Sequence, residues 1–493
     1  MQRYSNWLVR VLASRTFFIF TLCLLAFQAL WLALSYKYPM LWDEYYHFGL
    51  IQYYGHHLNP IIGSQPPSLD MYGNVARSPK YFYHYLMSFP FRLISLWIHN
   101  QAAQVIALRV VNIALFTGGL VAFRAAMLRM TKSRALVHFI LFVLIMLPLS
   151  TLLAAEVTYD NMQFLLTGLV LYFALRFMQS KPLDIKWLLL TIGFGLMNSI
   201  VKYTFLPILV TVMLFLVVWC WRYGWARVWH QLKDSTLQLN RWLLAALLLL
   251  VLLMGALNIE RFGGNLMRYH TITPDCPAVA SEQRCLSFSP YKAEQAFKQQ
   301  KQVWLETGST VHIDRLPRFI VSIWVEQLYL QYFTTGTQLA PDIFVVTGQL
   351  WIPFVTMLVA TAIAVVCFVW KAPRLLRRAD VLLVLLCAAV LALALLLVDY
   401  AAYKETSFPI DIQGRYLLPV APFVLLVGGL GVATAIRSRK VKAVLAGLVL
   451  IGLIWGGGLI THITQSQTDW YWNNRAVINT NHALHQVLWP ITF

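Results

Sequence analysis

Seven ionisable side chains from well-separated parts of the chain could act together. Asp43, Glu44 and His47 come directly after the first long apolar run, residues 17–34. The other four lie in or beside later apolar runs and are Arg109, Asp160, Lys202 and Arg415. Ionisable groups at a membrane boundary are costly and usually have a purpose. Acids and bases gathered at one membrane depth would suit a ligand that carries an anionic group at the membrane surface.

Each of these residues also has an ordinary interpretation. Asp43 and Glu44 could start a loop and cap a helix N-terminus. Lysine and arginine side chains near helix ends extend to lipid head groups, and His47 could simply pack on a helix. Positions i and i+4 share a helix face, so Asp43 and His47 would point at the same space. Spacing alone leaves both interpretations open.

The composition is that of a helical membrane protein. The chain is 59% hydrophobic and 12% charged, with a mean hydropathy of +0.63, whereas a soluble domain is about a quarter charged. Several runs reach the roughly 18 to 20 apolar residues that cross a bilayer as a helix. We predict an all-α polytopic protein with about eleven transmembrane helices. The predicted spans are approximately 16–34, 102–123, 135–154, 162–177, two spans within 187–221 divided at 198–202, 242–259, 350–370, 380–398, 415–436 and 443–462.

The distribution of basic residues predicts the orientation. The N-terminal leader and the five connections assigned to the cytoplasm together hold 22 Lys and Arg but only three acidic residues, which accounts for the whole net charge of +19. This is the positive-inside pattern of a multi-pass protein of the cytoplasmic (inner) membrane. The N-terminus is predicted inside, and the C-terminus and the seven ionisable residues on the periplasmic or extracellular side. The basic charge follows the membrane topology, so nucleic acid is excluded as a partner.

The predicted organisation is one transmembrane domain, residues 1–463, followed by an outer-face tail, residues 464–493. The domain carries a first outer loop, 35–101, and a long outer loop, 260–349. Within the long loop we predict a surface helix near 289–302 and an interfacial helix near 318–332. Cys276 and Cys285 lie nine residues apart in this loop, where an oxidising compartment would allow a disulfide. The sequence has no Cys/His metal-ligand spacing and no nucleotide-binding loop.

The order of these residues resembles the GT-C superfamily of polytopic membrane glycosyltransferases, of the protein-mannosyltransferase and aminoarabinose-transferase type. Members place an acidic pair just after the first span, where this chain has Asp43 and Glu44, and several continue with a histidine as at His47. Four further segments resemble family motifs in the same order: 108–112 (LRVVN), 158–160 (TYD), 201–204 (VKYT) and 413–419 (QGRYLLP). The last is the sharpest match. Segment 78–85 (SPKYFYHY) lies where many members carry a His-Pro-Pro-Leu-Tyr-Tyr-like motif and departs from it in detail.

The resemblance implies an inverting transferase that moves a sugar from a polyprenyl-phosphate donor to an acceptor hydroxyl. It implies that Asp43 is the general base that takes the hydroxyl proton, with Glu44 beside it as the other candidate. Fixed cations would stabilise the charge that develops on the leaving phosphate. The donor-phosphate candidates are Lys202, Arg415 and Arg109, and the sugar- or acceptor-binding candidates are His47, Asp160, Tyr159 and Gln413.

The predicted partners are the polyprenyl-phosphate-sugar donor, a glycan, lipid or protein acceptor, and membrane lipids. No cofactor is implied, and a divalent metal is left open. Two other classes of protein also stay open. One is a polymerase or ligase acting on a diphosphate-linked glycan, which the acidic pair after the first span disfavours. The other is a lipid-linked glycan transporter, which would be expected to show internal repeats and broken helices at mid-membrane.

Overall fold

The computed structural model describes residues 2–40, 43–307, 315–333, 337–340, 343–345, 351–410 and 412–492. Three motif residues lie outside this part of the chain, namely Leu41, Trp42 and Asp411. The same holds for stretches 308–314, 334–336, 341–342 and 346–350 of the predicted long loop and its end.

The first four helices build the first predicted span and the loop after it. They are α1 (Gln2–Ala13), α2 (Arg15–Ser35), α3 (Glu44–Gly55) and α4 (Phe82–Ser95), with a 3-10 turn at Pro67–Tyr72. The apolar helix α2 begins where the Ser14 hydroxyl accepts a hydrogen bond from the Phe17 N–H, which satisfies one free donor of the first turn. The first outer loop, 35–101, therefore contains two α-helices and a 3-10 turn.

Eight helices follow before the long loop. They are α5 (Gln101–Met130), α6 (Arg134–Ile145), α7 (Pro148–Ala155), α8 (Tyr159–Gln179), α9 (Ile185–Val201), α10 (Leu206–Tyr223), α11 (Trp225–Gln238) and α12 (Arg241–Asn258). The expected division of residues 187–221 is correct, because α9 ends at Val201 and α10 begins at Leu206. The third span, expected to be one helix, bends by 72° between α6 and α7. Pro148 opens α7, and a proline has no N–H with which to continue the preceding helix.

The long loop folds into short helices and one small hairpin. These are α13 (Gly264–Tyr269), α14 (Cys276–Val279), α15 (Glu282–Cys285), α16 (Ser289–Glu306), α17 (Leu316–Phe319), α18 (Val325–Gln331), and the antiparallel strands β1 (Thr337–Ala340) and β2 (Ile343–Val345). Helix α16 covers the predicted surface helix, and a π-helical segment, Ile320–Trp324, joins α17 to α18 in the predicted interfacial helix. Cys276 and Cys285 form a disulfide, with their Cα atoms 5.8 Å apart.

The C-terminal part supplies the last spans and the tail. Its helices are α19 (Trp351–Leu375), α20 (Ala379–Thr406), α21 (Ala421–Ala435), α22 (Arg439–Ile454), α23 (Leu459–Gln465) and α24 (Arg475–Thr492). The tail packs back on the end of α2, because Trp31 Nε1 donates to Asn481 Oδ1 at 3.0 Å. The Trp472 N–H also donates to the Ser35 carbonyl at 3.0 Å.

The helices account for the predicted spans. Among the described residues, eight helical segments are long and apolar enough to cross a membrane, the bent pair α6–α7 adds a ninth, and α9 and α21 are shorter apolar helices. Together these segments coincide with the eleven predicted spans. The prediction of an all-α polytopic membrane protein is confirmed.

Helices α5 and α8 pack closely along their length and bring their polar residues to one end. A Cβ on Gly168 would lie 3.0 Å from the Ala122 Cβ and 3.2 Å from the Phe123 backbone nitrogen. A glycine at this position therefore permits the close approach. Near the start of α8, Asn161 Nδ2 donates to Asn112 Oδ1 on α5 at 3.1 Å. This contact fixes the end of α8 that carries Asp160.

Candidate functional site

Two carboxylates and two cations from four distant segments meet at one end of the helix bundle. Arg415 Nη2 lies 2.7 Å from Asp43 Oδ2, and Arg415 Nη1 lies 3.6 Å from Asp160 Oδ2. Lys202 Nζ lies 2.5 Å from Asp160 Oδ1. We call these four residues the charged cluster. The side chains of Arg415, Lys202 and Asp160 are at most 2% exposed, whereas that of Asp43 is 40% exposed. Asp43 is thus the member that solvent and a ligand can reach.

The interpretation of Asp43 as only a helix cap is wrong. Asp43 occupies the N-cap position of α3, but its side chain makes no capping hydrogen bond. The carboxylate instead pairs with Arg415. The Asp43 carboxylate therefore binds a buried guanidinium instead of the free N–H groups at the start of α3. Helix capping is not its role.

Breaks at helix ends place the other three members of the charged cluster. Asp160 lies in the first turn of α8, where the Thr158 hydroxyl accepts from the Asp160 N–H and its oxygen lies 3.2 Å from Asp160 Oδ2. Lys202 ends α9 in an extended conformation, ahead of a 3-10 turn that leads into α10. Arg415 lies in the 3-10 turn before α21. The predicted tenth span, 415–436, therefore begins as a tight turn, and this turn aims Arg415 across the site.

Two predicted binding residues, together with Tyr416, hold the cations of the cluster. Lys202 Nζ lies 4.5 Å from the ring centre of Tyr159 and 4.3 Å from that of Tyr416, so two aromatic faces enclose the ammonium group. Gln413 Oε1 accepts from Arg415 Nε at 2.5 Å. Tyr159 and Gln413 thus lie in the site, where they orient Lys202 and Arg415.

Glu44 and Arg109 form a separate, fully buried pair. Arg109 Nε and Nη2 donate to the two carboxylate oxygens of Glu44 at 2.8 and 2.7 Å, and both side chains are fully buried. Arg109 Nη1 also donates to the carbonyls of Ala33 and Tyr36, at 2.9 and 2.7 Å. The Val157 N–H donates to Glu44 Oε1 at 3.2 Å. This bidentate pair ties together α2, α3, α5 and the link before α8.

We expect Glu44→Gln to destabilise the fold strongly, because it leaves the Arg109 guanidinium buried without its counter-charge. Breaking a buried pair by removing one partner costs about 3–5 kcal/mol. Thermal unfolding of the detergent-solubilised protein measures the loss. The matched control is Glu294→Gln, which removes an exposed i,i+4 pair with Lys298 worth about 0–1 kcal/mol. Equal melting temperatures for the two variants would contradict a structural role for the Glu44–Arg109 pair.

A pair of buried histidines lies beside the cluster. His47 Nδ1 and His84 Nε2 lie 2.8 Å apart, and the His47 ring centre is 4.4 Å from that of Tyr159. His47 Nε2 lies 3.4 Å from the Thr158 hydroxyl. Burial, together with the nearby positive charge of Lys80, lowers the pKa of His84 to about 3. Burial, His84 and Arg415 hold the pKa of His47 well below its usual value. Both rings are therefore neutral at physiological pH.

The sequence reasoning missed three residues of this site. They are Lys80, His84 and Glu156. Lys80 and His84 belong to segment 78–85, which departs in detail from the family motif found at this position. Helix α4 and the turn before it bring this segment close to Tyr159 of α8. Lys80 Nζ lies 4.8 Å from the ring centre of Tyr46 and 5.8 Å from that of Tyr159.

The charges around Asp43 set its protonation. Burial raises the pKa of this carboxyl, but Arg415, Lys80 and Lys202 together outweigh burial and lower the pKa below its ordinary value. Lys202 lies in the connection between α9 and α10, and there burial lowers its pKa to about 8 against the attraction of Asp160. At neutral pH the cluster therefore holds an ionised Asp43 beside a charged Lys202. Among the described residues, no group of three or more His, Cys, Asp or Glu side chains is arranged to hold a metal ion.

Two crystal structures of ArnT from Cupriavidus metallidurans are similar to the chain. The apo structure aligns with a TM-score of 0.49 and 13% identity, covering 96% of this chain and 69% of ArnT. The structure bound to undecaprenyl phosphate aligns with a TM-score of 0.48 and 13% identity, covering 97% and 72%. No curated protein matches the sequence.

A family model described as "Predicted membrane protein (DUF2142)" matches residues 80–424. The match spans well over half of the chain. It includes Asp160, Lys202 and Arg415 of the charged cluster, and it begins after Asp43. The chain therefore belongs to the DUF2142 family of membrane proteins.

Proposed function

We propose that the protein is an inverting glycosyltransferase that moves a sugar from a polyprenyl-phosphate donor to an acceptor hydroxyl. The observation that carries this proposal is the charged cluster, in which a partly exposed carboxylate lies against two buried cations. This transfer requires a general base that takes the proton of the acceptor hydroxyl and cations that stabilise the leaving phosphate. The bundle of apolar helices would hold the lipid part of the donor beside them.

Arg415 and Lys202 are the proposed ligands of the donor phosphate. Arg415 can offer its planar fork to two phosphate oxygens, and Lys202 acts as a point charge. Both are already held by fixed partners, Gln413 for Arg415 and the Tyr159 and Tyr416 rings for Lys202. Prepositioned cations need no reorganisation when negative charge develops on the leaving group.

Asp43 is the proposed general base. Its pairing with Arg415 keeps it ionised in the ligand-free protein, but the same pairing makes it a weak base. A phosphate bound at Arg415 would offset the positive charge that now faces Asp43. Donor binding would thereby raise the basicity of Asp43 at the moment when an acceptor hydroxyl is to be activated. Attack from the side opposite the phosphate inverts the anomeric centre.

The remaining predicted site residues receive narrower roles. Tyr159 and His47 line the wall beside Lys202, where they can contact a sugar, and Asp160 holds Lys202 in place. Glu44 and Arg109 are proposed to position the start of α3 rather than to touch a ligand, because each is saturated by the other and by backbone groups. Arg109 makes five hydrogen bonds, the fifth from Nη2 to the Lys37 carbonyl, so it has little left to offer a donor phosphate.

We further propose that the charged cluster faces the periplasm or cell exterior and that the N-terminus is cytoplasmic. The basic connections between spans support this orientation. One of them, from Arg176 to Lys186, lies at the end of α8 away from Asp160. A helix of 21 residues spans about 30 Å, the thickness of a membrane core. The outer tail, 464–493, would then lie on the same side as the cluster, where its contacts with the end of α2 support it.

The test of the proposed function uses purified protein in lipid nanodiscs. A panel of polyprenyl-phosphate sugars is offered together with crude envelope acceptors, and release of polyprenyl phosphate is followed. Release that requires both a donor and an acceptor supports the transferase. If polyprenyl phosphate is released from none of the donors but the protein binds a diphosphate-linked glycan, the protein is instead a polymerase, a ligase or a transporter.

The pH dependence of turnover follows from the two shifted groups. Asp43 must be ionised, and its lowered pKa places loss of activity on the acid side below the usual carboxylate range. Lys202 must be protonated, and its pKa of about 8 places the loss on the alkaline side near that pH. We therefore expect kcat/KM to be flat through neutral pH and to fall as the pH rises through about 8. An arginine in place of Lys202 would stay charged throughout this pH range.

The control for the alkaline limb is Lys202→Arg. We expect this variant, whatever its absolute activity, to lose the decline near pH 8. A decline of the same shape in Lys202→Arg would assign it to another group and contradict the role of Lys202.

A further inference from the structure

Glu156 has a buried carboxyl group that no hydrogen bond satisfies among the residues that the structure describes. It lies between the end of α7 and the start of α8, and it is 0% exposed. Neither of its carboxylate oxygens has a hydrogen-bond partner among the residues that the structure describes. Its backbone, by contrast, is held at both polar atoms. The Glu156 N–H donates to the Leu153 carbonyl at 3.3 Å, and its carbonyl accepts from Asn161 Nδ2 at 3.0 Å.

The surroundings favour the uncharged form of this carboxyl. Burial raises the pKa of Glu156 well above its ordinary value, and Glu44, Asp43 and Asp160 raise it further. Arg415 is the charged neighbour that acts on it most strongly, in the opposite direction. An uncharged carboxylic acid has one O–H donor and free acceptor oxygens. A buried polar group left unpaired costs about 1–3 kcal/mol, and such groups in folded proteins call for an explanation.

We propose that Glu156 is a ligand-binding residue of the charged cluster, whose carboxylic acid donates a hydrogen bond to a phosphate oxygen of the ligand that Arg415 binds. This inference rests on the proposed function, because it takes the same phosphate as the ligand. No residue assignment drawn from the sequence includes Glu156. The side chain breaks no hydrogen bond when it turns toward a ligand, since in the ligand-free protein it makes none among the described residues.

A neutral donor fits this position better than a further charge. The charged cluster already contains two carboxylates beside its two cations, and a third carboxylate would repel a phosphate. A protonated carboxyl adds a hydrogen bond to the anion without that repulsion. Hydrogen bonds to charged groups are about twice as strong as neutral ones. Glu156 would therefore favour a ligand with an anionic oxygen over one with only hydroxyl groups.

The test compares Glu156→Gln with Glu156→Met in nanodiscs. Glutamine keeps the shape and a hydrogen-bond donor, whereas methionine is of similar size and has neither donor nor charge. The probe is a short-chain polyprenyl phosphate, and the measurement is its dissociation constant. We expect Glu156→Gln to bind within about threefold of wild type, and Glu156→Met to bind about 10- to 100-fold more weakly. Thermal unfolding establishes that both variants are folded.

Each outcome bears on a different claim. Unchanged binding by Glu156→Met, with wild-type binding intact, would overturn the role of Glu156 and leave the proposed function standing; the carboxyl would then be satisfied by an internal water. An equal loss of probe binding in both variants would contradict a neutral hydrogen-bond donor at Glu156 and indicate that an ionised carboxylate is needed there. If the wild-type protein does not bind the probe at all, the proposed function fails and the inference fails with it. Infrared difference spectra of wild type and Glu156→Gln report the protonated carboxyl band, and its shift on adding the probe is expected only in the wild type.

Discussion

Replacing Asp43 with asparagine is expected to lower the rate of sugar transfer about 10²- to 10⁴-fold, the usual contribution of a general base. Asparagine keeps the shape of the side chain but cannot take a proton from a hydroxyl. Asp43 is the exposed member of the charged cluster, so its loss leaves the buried pair of Lys202 and Asp160 intact. We therefore expect binding of the polyprenyl-phosphate donor to be kept or strengthened, because Arg415 loses a competing anion.

The matched control is Asp70→Asn. Asp70 also pairs with an arginine, since Arg284 Nη2 lies 2.7 Å from Asp70 Oδ1, but this pair joins the 3-10 turn of the first outer loop to α15. Release of polyprenyl phosphate in single-turnover assays, run beside donor binding, separates chemistry from affinity. Full activity of Asp43→Asn on a proven substrate would remove Asp43 from the role of base.

Replacing Arg415 with glutamine is expected to lower turnover about 10²- to 10³-fold, the usual cost of removing one fixed group that stabilises developing negative charge. The buried guanidinium faces Asp43 and Asp160 at once, so its removal has a second consequence. Arg415 is the largest of the charges that lower the pKa of Asp43. Without it, the acid limb of the pH–rate profile is expected to move to higher pH. A purely structural loss would lower the rate without moving that limb.

Two further variants separate charge from geometry at this position. Arg415→Lys keeps the charge and loses the planar fork, so we expect it to recover only part of the activity. Arg284→Lys, at the partly buried outer-loop pair with Asp70, is the matched control. It is expected to change turnover less than about twofold, because it keeps the charge and does not alter the charged cluster. Turnover of Arg415→Gln close to that of wild type, at a saturating donor concentration, would exclude Arg415 from the leaving-group site.

The membrane architecture was predictable because it depends on composition along the chain. A bilayer requires long apolar helices and penalises charge within them, whichever helices lie next to one another. The runs of apolar residues, the basic connections and even the break at residues 198–202 follow from that requirement. The bend between α6 and α7 was missed because hydropathy is continuous across it, and only the backbone chemistry of Pro148 interrupts the helix.

The charged cluster was predictable as a set of residues but not as an arrangement. Asp43, Asp160, Lys202 and Arg415 each lie at or near a helix end, and a shared membrane depth placed them together. The same argument grouped Glu44 and Arg109 with them. Membrane depth alone does not distinguish a residue that faces a ligand from one whose hydrogen-bonding groups are already occupied by another side chain. Which acid pairs with which base depends on distances of a few ångströms between helices. Those distances are set by packing contacts such as that at Gly168.

The sequence by itself therefore determined the fold class and the positions of the apolar segments, because these depend on the solvent that each segment must occupy. The tertiary structure alone decided how the residues of the site are buried and paired. It left Asp43 accessible, closed Glu44 onto Arg109, brought His84 and Lys80 over α8, and buried Glu156 without a partner among the described residues. The physical reason is that burial and pairing are properties of neighbours from distant parts of the chain, and no local pattern records them.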